Sequence, residues 1–320
     1  MIKHPAHRVK QSLVATLYLA VMASVCFTLS AAAAAQTDYD PPTNCDDCDT
    51  WNQPQAPFKI HGNTYYVGVQ GLSSVLIATP KGLILLDGDL PQSAPLIEAN
   101  IRALGFRVED IRYVLNSHEH VDHAGGIAAL QRHSGAEVVA SVEGARALRA
   151  GHMGDDDPQI GYTRTYVIPG VAHVKTIVDG EAVSLGGVKV IAHRTPGHTA
   201  GSTTWTWRSC SKNERDRTCY DIVYADSLNA VSFPGFRFTG GKDKPDLTPA
   251  FRASIAKVAA LPCDILITVH PGFSGVLEHA VKAADGEGVK AFVDKGACRA
   301  YADDTMQTLE KRVRKERAGG

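Results

Sequence analysis

The residues with the most evident chemistry lie in one short segment that reads His-Glu-His-Val-Asp-His. His118 and His120 are two positions apart, so in extended backbone their imidazoles point to the same side and can bind one metal ion. Asp122 and His123 follow where the chain turns, so they can serve a second ion nearby. Glu119 should point away from both ions, and we exclude it as a catalytic base. Imidazole and carboxylate ligands without thiolate indicate zinc.

Two further histidines follow predicted strands elsewhere in the chain. His198 lies in a Pro-Gly turn just after the predicted strand 188–193, and His270 ends the predicted strand 265–269. Ligand groups in α/β sheets gather at the carboxyl ends of strands, so we expect both histidines to join the cluster. Five histidines and one aspartate can hold two ions and leave coordination positions open, as a catalytic site requires.

The elements that must position these residues alternate in type. Short β-branched or apolar runs predict strands at 64–70, 73–79, 82–87, 111–116, 137–140, 182–185, 188–193, 203–208, 222–225 and 265–269. Helical spacing predicts helices at 95–104, 126–133, 249–261 and 288–314, and a long loop at 151–171. Each half is a run of strands followed by helices. The pattern therefore predicts an α/β fold of two packed sheets with helices outside, in one domain.

The first 35 residues are typical of an export signal. Three basic residues precede an apolar run at 13–29, and the five alanines at 31–35 suit a signal peptidase. We therefore expect a signal peptide at 1–35, a mature domain at 36–320, a periplasmic location and no stable membrane insertion after cleavage. Because the apolar run is rather long for a signal, an uncleaved anchor is the alternative.

The charge balance excludes one class of partner. Lys and Arg together number 33 against 34 for Asp and Glu, and no basic stripe with interleaved aromatics is present. Without a basic field, we do not expect nucleic acid as a partner. We expect a monomer that acts on a small molecule.

Six cysteines follow the signal, and an even number in an exported chain predicts disulfides. Cys210 and Cys219 flank a polar stretch that resembles a hairpin tip, which makes them a plausible pair. Cys263 and Cys298 would then connect the last strand region to the C-terminal helix.

Cys45 and Cys48 form a C-x-x-C pattern. A redox motif would have a preceding strand and a following helix, and a zinc site would have a second cysteine pair. The sequence offers neither, so we expect these two cysteines to have a local structural role.

The chain from about residue 45 to 305 resembles the subclass B3 metallo-β-lactamases. The segments that carry the resemblance are 51–54, 62–68, 117–126, 196–205, 224–229 and 270–272. The resemblance implies an αβ/βα four-layer sandwich and two Zn²⁺ per chain. It implies that the first zinc is bound by His118, His120 and His198, and the second by Asp122, His123 and His270. The implied activity is hydrolysis of the β-lactam amide by a metal-bound hydroxide.

The resemblance also implies substrate contacts. Other subclasses have a cysteine ligand in the second run of strands, whereas this sequence has Asp226 and Ser227 there, as expected for B3. Ser227 would bind the β-lactam carboxylate, and Asn229 and Gln159 are further candidate contacts. Asp122, besides binding zinc, would orient the attacking hydroxide.

Two other functions stay open from sequence. Hydrolases of thioesters, lactones and phosphodiesters share the histidine motif and use an aspartate to bridge both metals. Asp226 lies one residue from the position in question. A zinc-binding export protein without enzymatic activity is the other alternative.

Overall fold

The computed structural model describes Met1 and residues 38–163, 166–211, 217–242 and 244–319. By its internal contacts the chain divides into Met1–Asp38 and Tyr39–Gly320. The helices and strands below belong to the second unit. Apart from Met1, the predicted signal at 1–35 lies outside the described residues. Within the described ranges, no helix is both long and apolar enough to cross a membrane.

The first sheet of the described chain has seven strands in sequential order. They are β1 (Phe58–His61), β2 (Thr64–Tyr66), β3 (Val75–Thr79), β4 (Gly82–Leu86), β5 (Ile111–Leu115), β6 (Glu137–Ala140) and β7 (Val174–Thr176). Strands β1 to β4 pair antiparallel as a meander, and β4 to β7 pair parallel through helical crossovers. The sheet is therefore mixed, and β4, β5 and β6 end at the same edge.

The second sheet, again within the described chain, has five strands in the order β12-β11-β10-β9-β8. They are β8 (Ala182–Leu185), β9 (Val188–Arg194), β10 (Thr203–Cys210), β11 (Cys219–Ala225) and β12 (Ile265–Thr268). Only the β11–β12 pair is parallel. The carboxyl ends of β11 and β12 therefore lie side by side.

The α-helices alternate with these strands. They are α1 (Cys48–Trp51), α2 (Ala94–Ala103), α3 (Val121–Ala124), α4 (Ile127–Ser134), α5 (Val142–Ala150), α6 (Ile160–Thr163), α7 (Thr248–Ala260), α8 (Val276–Lys282) and α9 (Ala297–Arg317). Short 3-10 turns occur at Pro91–Ser93, Val108–Asp110, Pro271–Phe273 and Gly288–Phe292, and a π turn at Ala283–Glu287.

Strand alternation builds the layers. In β11, Ile222 and Tyr224 enter the core between the two sheets, while Val223 and Ala225 pack toward α7 and α9. In the first sheet, Leu85 packs toward α2 and α4. The result is helix, sheet, sheet and helix, so the predicted αβ/βα sandwich is confirmed.

The two tryptophans of β10 belong to the central core between the sheets. Trp205 is fully buried, and its indole N–H donates to the backbone oxygen of Asn116 at 3.1 Å. Trp207 donates to the hydroxyl of Thr64 at 3.0 Å. A buried indole N–H needs an acceptor. Here both acceptors belong to the first sheet or to the residue that follows its strand β5, so the two bonds connect the sheets.

Most element types agree with the sequence, but strands β1 and β7 are not predicted, the strand predicted at 64–70 ends at Tyr66, and the start of the last helix is wrong. The last helix is predicted from residue 288, whereas α9 begins at Ala297. Gly286 (φ 117°) and Gly288 (φ 60°) take left-handed backbone that interrupts helical spacing. Helix α5 was not predicted, although its capping residues are conventional: the hydroxyl of Ser141 accepts from Gly144, and Gly151 ends the helix at φ 75°.

Three disulfides are present among the described residues. Cys210 pairs with Cys219 across the β10–β11 hairpin, and Cys263 pairs with Cys298 at the start of α9, so both expected pairs are confirmed. Cys45 pairs with Cys48. The C-x-x-C pattern is therefore a local disulfide that closes the loop before α1.

Glu316 near the end of α9 provides a test of the outer layer. Its carboxylate is buried and accepts hydrogen bonds from the backbone N–H of Phe238 (3.2 Å) and of Thr239 (2.9 Å), and from Arg312 (2.7 Å). Burial alone would raise its pKa, but these hydrogen bonds outweigh burial and lower it.

We expect Glu316→Gln to lower the free energy of unfolding by about 2 kcal/mol at pH 7, since bonds to a charged group are lost. A carboxyl with a lowered folded-state pKa stabilises above its unfolded pKa and loses that effect as pH falls through the folded value. The difference between wild type and variant should therefore shrink in acid. Urea unfolding at several pH values measures it.

Glu310→Gln is the matched control, since Glu310 lies on α9 like Glu316 but is about one-third exposed. There it pairs with Arg252 of α7. Its loss should cost less than about 1 kcal/mol. Equal losses for the two variants at pH 7 would contradict the role given to Glu316.

Candidate active site

The segment with the first ligands leaves the sheet at the end of β5 and is fixed by Asp87, which follows β4. The buried carboxylate of Asp87 accepts hydrogen bonds from the backbone N–H (2.7 Å) and hydroxyl (2.6 Å) of Ser117, and from the hydroxyl of Tyr224 (2.8 Å). The side-chain amide of Asn116 donates to the backbone oxygen of His118 at 2.6 Å. These bonds hold the segment in position where it leaves the sheet.

His118, His120 and His198 form the first ligand cluster. One side-chain nitrogen from each lies within 4.8 Å of the others. The three rings meet nearly edge to face, with centroids 4.9 to 5.0 Å apart. Nε2 of His118 is buried and has no hydrogen-bond partner. A buried nitrogen lone pair without a donor, facing two other imidazoles, suits a metal ligand.

The second nitrogen of each imidazole in this cluster is held by a protein oxygen. The pairs are His118 Nδ1 with Asp226 Oδ1 (2.7 Å), His120 Nε2 with Asp157 Oδ2 (3.2 Å) and His198 Nδ1 with the backbone oxygen of Asn229 (2.9 Å). Such bonds fix ring orientation and tautomer, and they leave the remaining nitrogen available to a metal.

Asp122, His123 and His270 form the second cluster. Oδ2 of Asp122 lies 3.2 Å from Nε2 of His123 and 3.5 Å from Nε2 of His270, and the two nitrogens are 3.3 Å apart. The far nitrogen of His270 lies 3.1 Å from the backbone oxygen of Gly71. Side chains from two sheets thus converge on one point.

These donor sets fit zinc. Tetrahedral zinc with bonds of about 2.0 to 2.1 Å places its ligand atoms about 3.3 Å apart. The three separations in the second cluster, 3.2 to 3.5 Å, have that spacing. Imidazole nitrogen and carboxylate oxygen are both ordinary zinc ligands.

The electrostatics favour the metal-binding protonation state at His118, His198 and Asp122. Burial lowers the pKa of His118 well below its usual value, and burial together with the neighbouring His120 lowers the pKa of His198 to about 3. Burial would raise the pKa of Asp122, but His123 outweighs burial and holds that pKa well below the usual range. Neutral imidazoles and an ionised carboxylate are the forms that ligate zinc.

At the two other buried histidines burial would lower the pKa, but Asp157 outweighs burial and raises the pKa of His120, and Asp122 raises that of His123 to about 9. Zinc would therefore have to displace a proton there.

A groove opens over the two clusters, and we call it the metal groove. Its walls include Asp46, Asp47, Trp51, His120, Asp122, Gln159, Tyr166, His198, Ser227, Asn229, Val231, His270 and Phe273. Among the described residues that line it there are several carboxylates but no Lys or Arg. Trp51 and Phe273 flank His270, with ring centroids 5.3 and 5.9 Å from its imidazole.

The three predicted substrate contacts all line this groove. Ser227 is buried, and the amide nitrogen of Gln159 lies 3.3 Å from Nε2 of His198. Asn229 also lines the groove, and its backbone oxygen holds His198. The structure thus brings together all six predicted ligands and these three residues.

Sequence reasoning missed two supporting carboxylates. Asp157, in the long loop 151–171, holds His120, and no local pattern distinguished it from its acidic neighbours. The sequence indicates Asp226 only as a residue that could bridge two metals, whereas its contact is with the far nitrogen of His118. The sequence signal that places Asp226 near the site is its position directly after β11. The neighbouring parallel strand β12 ends at the same edge, where His270 follows it.

The comparisons with known proteins agree with this geometry. The family model of the metallo-β-lactamase superfamily matches residues 67–207. That region contains five of the six ligand residues. Four of them follow β5 of the first sheet, and the fifth is His198. The fold and the site thus define the superfamily.

Solved structures narrow the class. A subclass B3 metallo-β-lactamase from a soil metagenome library is 47% identical, with TM-score 0.80, covering 84% of this chain and all of that one. The Rm3 metallo-β-lactamase is also 47% identical, with TM-score 0.81, covering 86% of this chain and 100% of that one. A metallo-β-lactamase from Novosphingobium pentaromativorans is 37% identical, with TM-score 0.77, over 84% and 94% of the two chains. The chain belongs to the subclass B3 metallo-β-lactamases.

Curated relatives are more distant. Hydroxyacylglutathione hydrolases from Rhizobium etli and Anaeromyxobacter dehalogenans are 29% and 33% identical over 127 and 200 residues. The chain spans only 40% and 59% of their lengths. An N-acyl homoserine lactonase from a Bacillus species is 26% identical over 149 residues.

The contact of Asp226 with His118 yields a prediction about metal binding. Asp226→Asn should weaken zinc binding by about 10- to 100-fold, because the neutral amide holds the ring of His118 less firmly. Competition with a chromophoric chelator measures the affinity. Asp221→Asn is the control and should leave the zinc affinity unchanged, because Asp221 lies within β11, the strand that Asp226 follows, and pairs with surface Arg208. An unaltered zinc affinity in Asp226→Asn would refute the role.

Proposed function

We propose that this protein is a zinc-dependent β-lactamase that hydrolyses the amide bond of penicillins, cephalosporins and carbapenems, and so confers antibiotic resistance. The observation that carries the proposal is the convergence of the six ligand side chains at strand ends in a subclass B3 fold. The substrate class comes from the solved relatives, which are metallo-β-lactamases.

Two zinc ions per chain are proposed. The first would be held by His118, His120 and His198, and the second by Asp122, His123 and His270. Zinc, when bound, supplies Lewis acidity and a water-derived nucleophile at neutral pH.

The chain's own residues bind and orient the substrate. The hydroxyl of Ser227 is proposed to donate a hydrogen bond to the β-lactam carboxylate. Asn229 and Gln159 are proposed as further polar contacts in the groove. Since no Lys or Arg is among the described residues of the groove wall, neutral donors and the metals are left to bind that carboxylate. Asp122, ionised by its neighbours, is proposed to accept a hydrogen bond from the attacking water and thereby orient it.

Export is part of the proposal. The signal-like residues 1–35 and the three disulfides support secretion to the periplasm, since disulfides persist in oxidising compartments. From the balanced charge we propose that the protein does not bind nucleic acid. We also propose that it is a monomer.

The alternative is hydrolysis of a lactone or thioester, which the names of the curated relatives favour. In that alternative an aspartate bridges the metals. Asp226 instead contacts the far nitrogen of His118, and it is in neither ligand cluster found among the described residues. The contact supports the β-lactamase proposal.

A substrate panel separates the two functions. Purified protein loaded with zinc would be assayed with a penicillin, a cephalosporin, a carbapenem, an acyl-homoserine lactone and a glutathione thioester, with and without chelator. We expect turnover of the lactams that chelator abolishes and zinc restores. Turnover of only the lactone or the thioester would overturn the proposal.

Asp122→Ala should lower kcat by at least about 100-fold, because both a metal ligand and the acceptor that orients water are lost. Far-UV circular dichroism should be unchanged, and zinc content should be measured on the same sample. Asp179→Ala, which removes an exposed partner of Lys257, is the control. Retained turnover in an Asp122→Ala sample of known zinc content would contradict the assignment.

A further inference from the structure

Glu119, the residue between the first two histidine ligands, does not take part in either ligand cluster. The residue is only 5% exposed, and its carboxylate contacts the loop 199–201 and belongs to neither ligand group among the described residues. One carboxylate oxygen accepts a hydrogen bond from the hydroxyl of Thr199 at 2.9 Å, and the other accepts from the backbone N–H of Gly201 at 3.1 Å. Both donors are neutral, so this buried acid is held by hydrogen bonds and not by an ion pair.

Both partners belong to the loop that presents His198. Thr199 follows that ligand directly, and its backbone N–H donates to the hydroxyl of Ser202 at 3.1 Å. The backbone oxygen of Gly201 accepts from the hydroxyl of Ser141 at 2.7 Å. Glu119 therefore connects the segment of the first sheet that carries two ligands to the loop of the second sheet that carries the third.

The packing around this contact leaves no spare room. A Cβ on Gly201 would lie 2.2 Å from Oε2 of Glu119 and 2.7 Å from the backbone nitrogen of Gly144. The absence of a side chain at position 201 lets the loop approach the carboxylate closely enough for the hydrogen bond. The sequence of the loop and the acid at 119 thus fit each other.

We propose that Glu119 is a positioning residue for the first metal site. By accepting from Thr199 and Gly201, it fixes the loop so that His198 faces His118 and His120. The effect is exerted through hydrogen bonding. It therefore needs a side chain of the length of glutamate with two polar atoms at its end, and it does not need the negative charge of Glu119. The activity consequence rests on the proposed function, whereas the consequence for metal binding does not.

The test compares Glu119→Ala with Glu119→Gln. The glutamine can accept from Gly201 through its oxygen and donate to the hydroxyl of Thr199 through its amide nitrogen. We expect zinc affinity, measured by chelator competition, to fall about 10- to 100-fold in Glu119→Ala and to stay within about 3-fold of wild type in Glu119→Gln. The visible spectrum of the cobalt-substituted protein should change in the alanine variant only.

Two further variants keep the test decisive. Thr199→Val removes one hydrogen bond at nearly constant shape and should weaken zinc binding, so it replaces Glu119→Ala if that variant does not fold. Glu98→Ala is the matched control, since Glu98 is also fully buried and bound by Tyr39, Arg102 and His133 outside the metal site. It should lower Tm without changing zinc affinity.

Three results would overturn the proposal. Unchanged zinc affinity in both Glu119→Ala and Thr199→Val would remove the positioning role. A glutamine variant as weak as the alanine variant would show that the charge acts. An equal fall in zinc affinity in Glu98→Ala would show that the effect of Glu119→Ala comes from general destabilisation of the fold. Failure to hydrolyse any lactam would reject the proposed function and leave these zinc measurements unaffected.

Discussion

In the first ligand cluster, the hydrogen bond on the far nitrogen of each imidazole is the interaction on which the rest of the site depends. A histidine ring can rotate about two bonds, so a ligand nitrogen faces its metal only if something holds the other side of the ring. Asp226 and Asp157 hold His118 and His120, and a backbone oxygen holds His198. Each of these oxygens comes from a segment far away in sequence, and so the geometry of the site depends on the packing of both sheets.

The same arrangement has an energetic cost without metal. Several imidazoles and carboxylates are buried within a few ångströms of one another, and Nε2 of His118 has no partner. Burial of unpaired polar groups opposes folding. A metal that binds the folded chain and not the unfolded one offsets this cost by mass action, so zinc affinity and stability should rise together.

Membership of subclass B3 and the local contacts answer different questions. The family follows from similarity over most of the chain, whereas the chemistry follows from what individual side chains contact. Asp226 illustrates the difference. By sequence it is a candidate for bridging two metals, but its carboxylate is used to orient His118. Glu119 has no metal-facing role, and yet it connects the two loops whose ligands share one ion.

The sequence by itself determined the ligand types, the strand-end pattern and the layered α/β class. Those features are local: two histidines two positions apart, alternating apolar residues in strands, and glycines at turns. It also indicated both longer disulfides, because their cysteines flank recognisable elements. It placed the start of the last helix too early, since the left-handed glycines before Ala297 give no strong signal against helical spacing.

Only the tertiary structure decided which atoms meet. The approach of Asp157 to His120, of Asp226 to His118 and of Glu119 to Thr199 joins segments 37 to 108 residues apart. Such pairings depend on the register of two sheets and on the path of a long loop, which no local pattern encodes. Residue type therefore specified what could bind zinc, and packing specified where each nitrogen points.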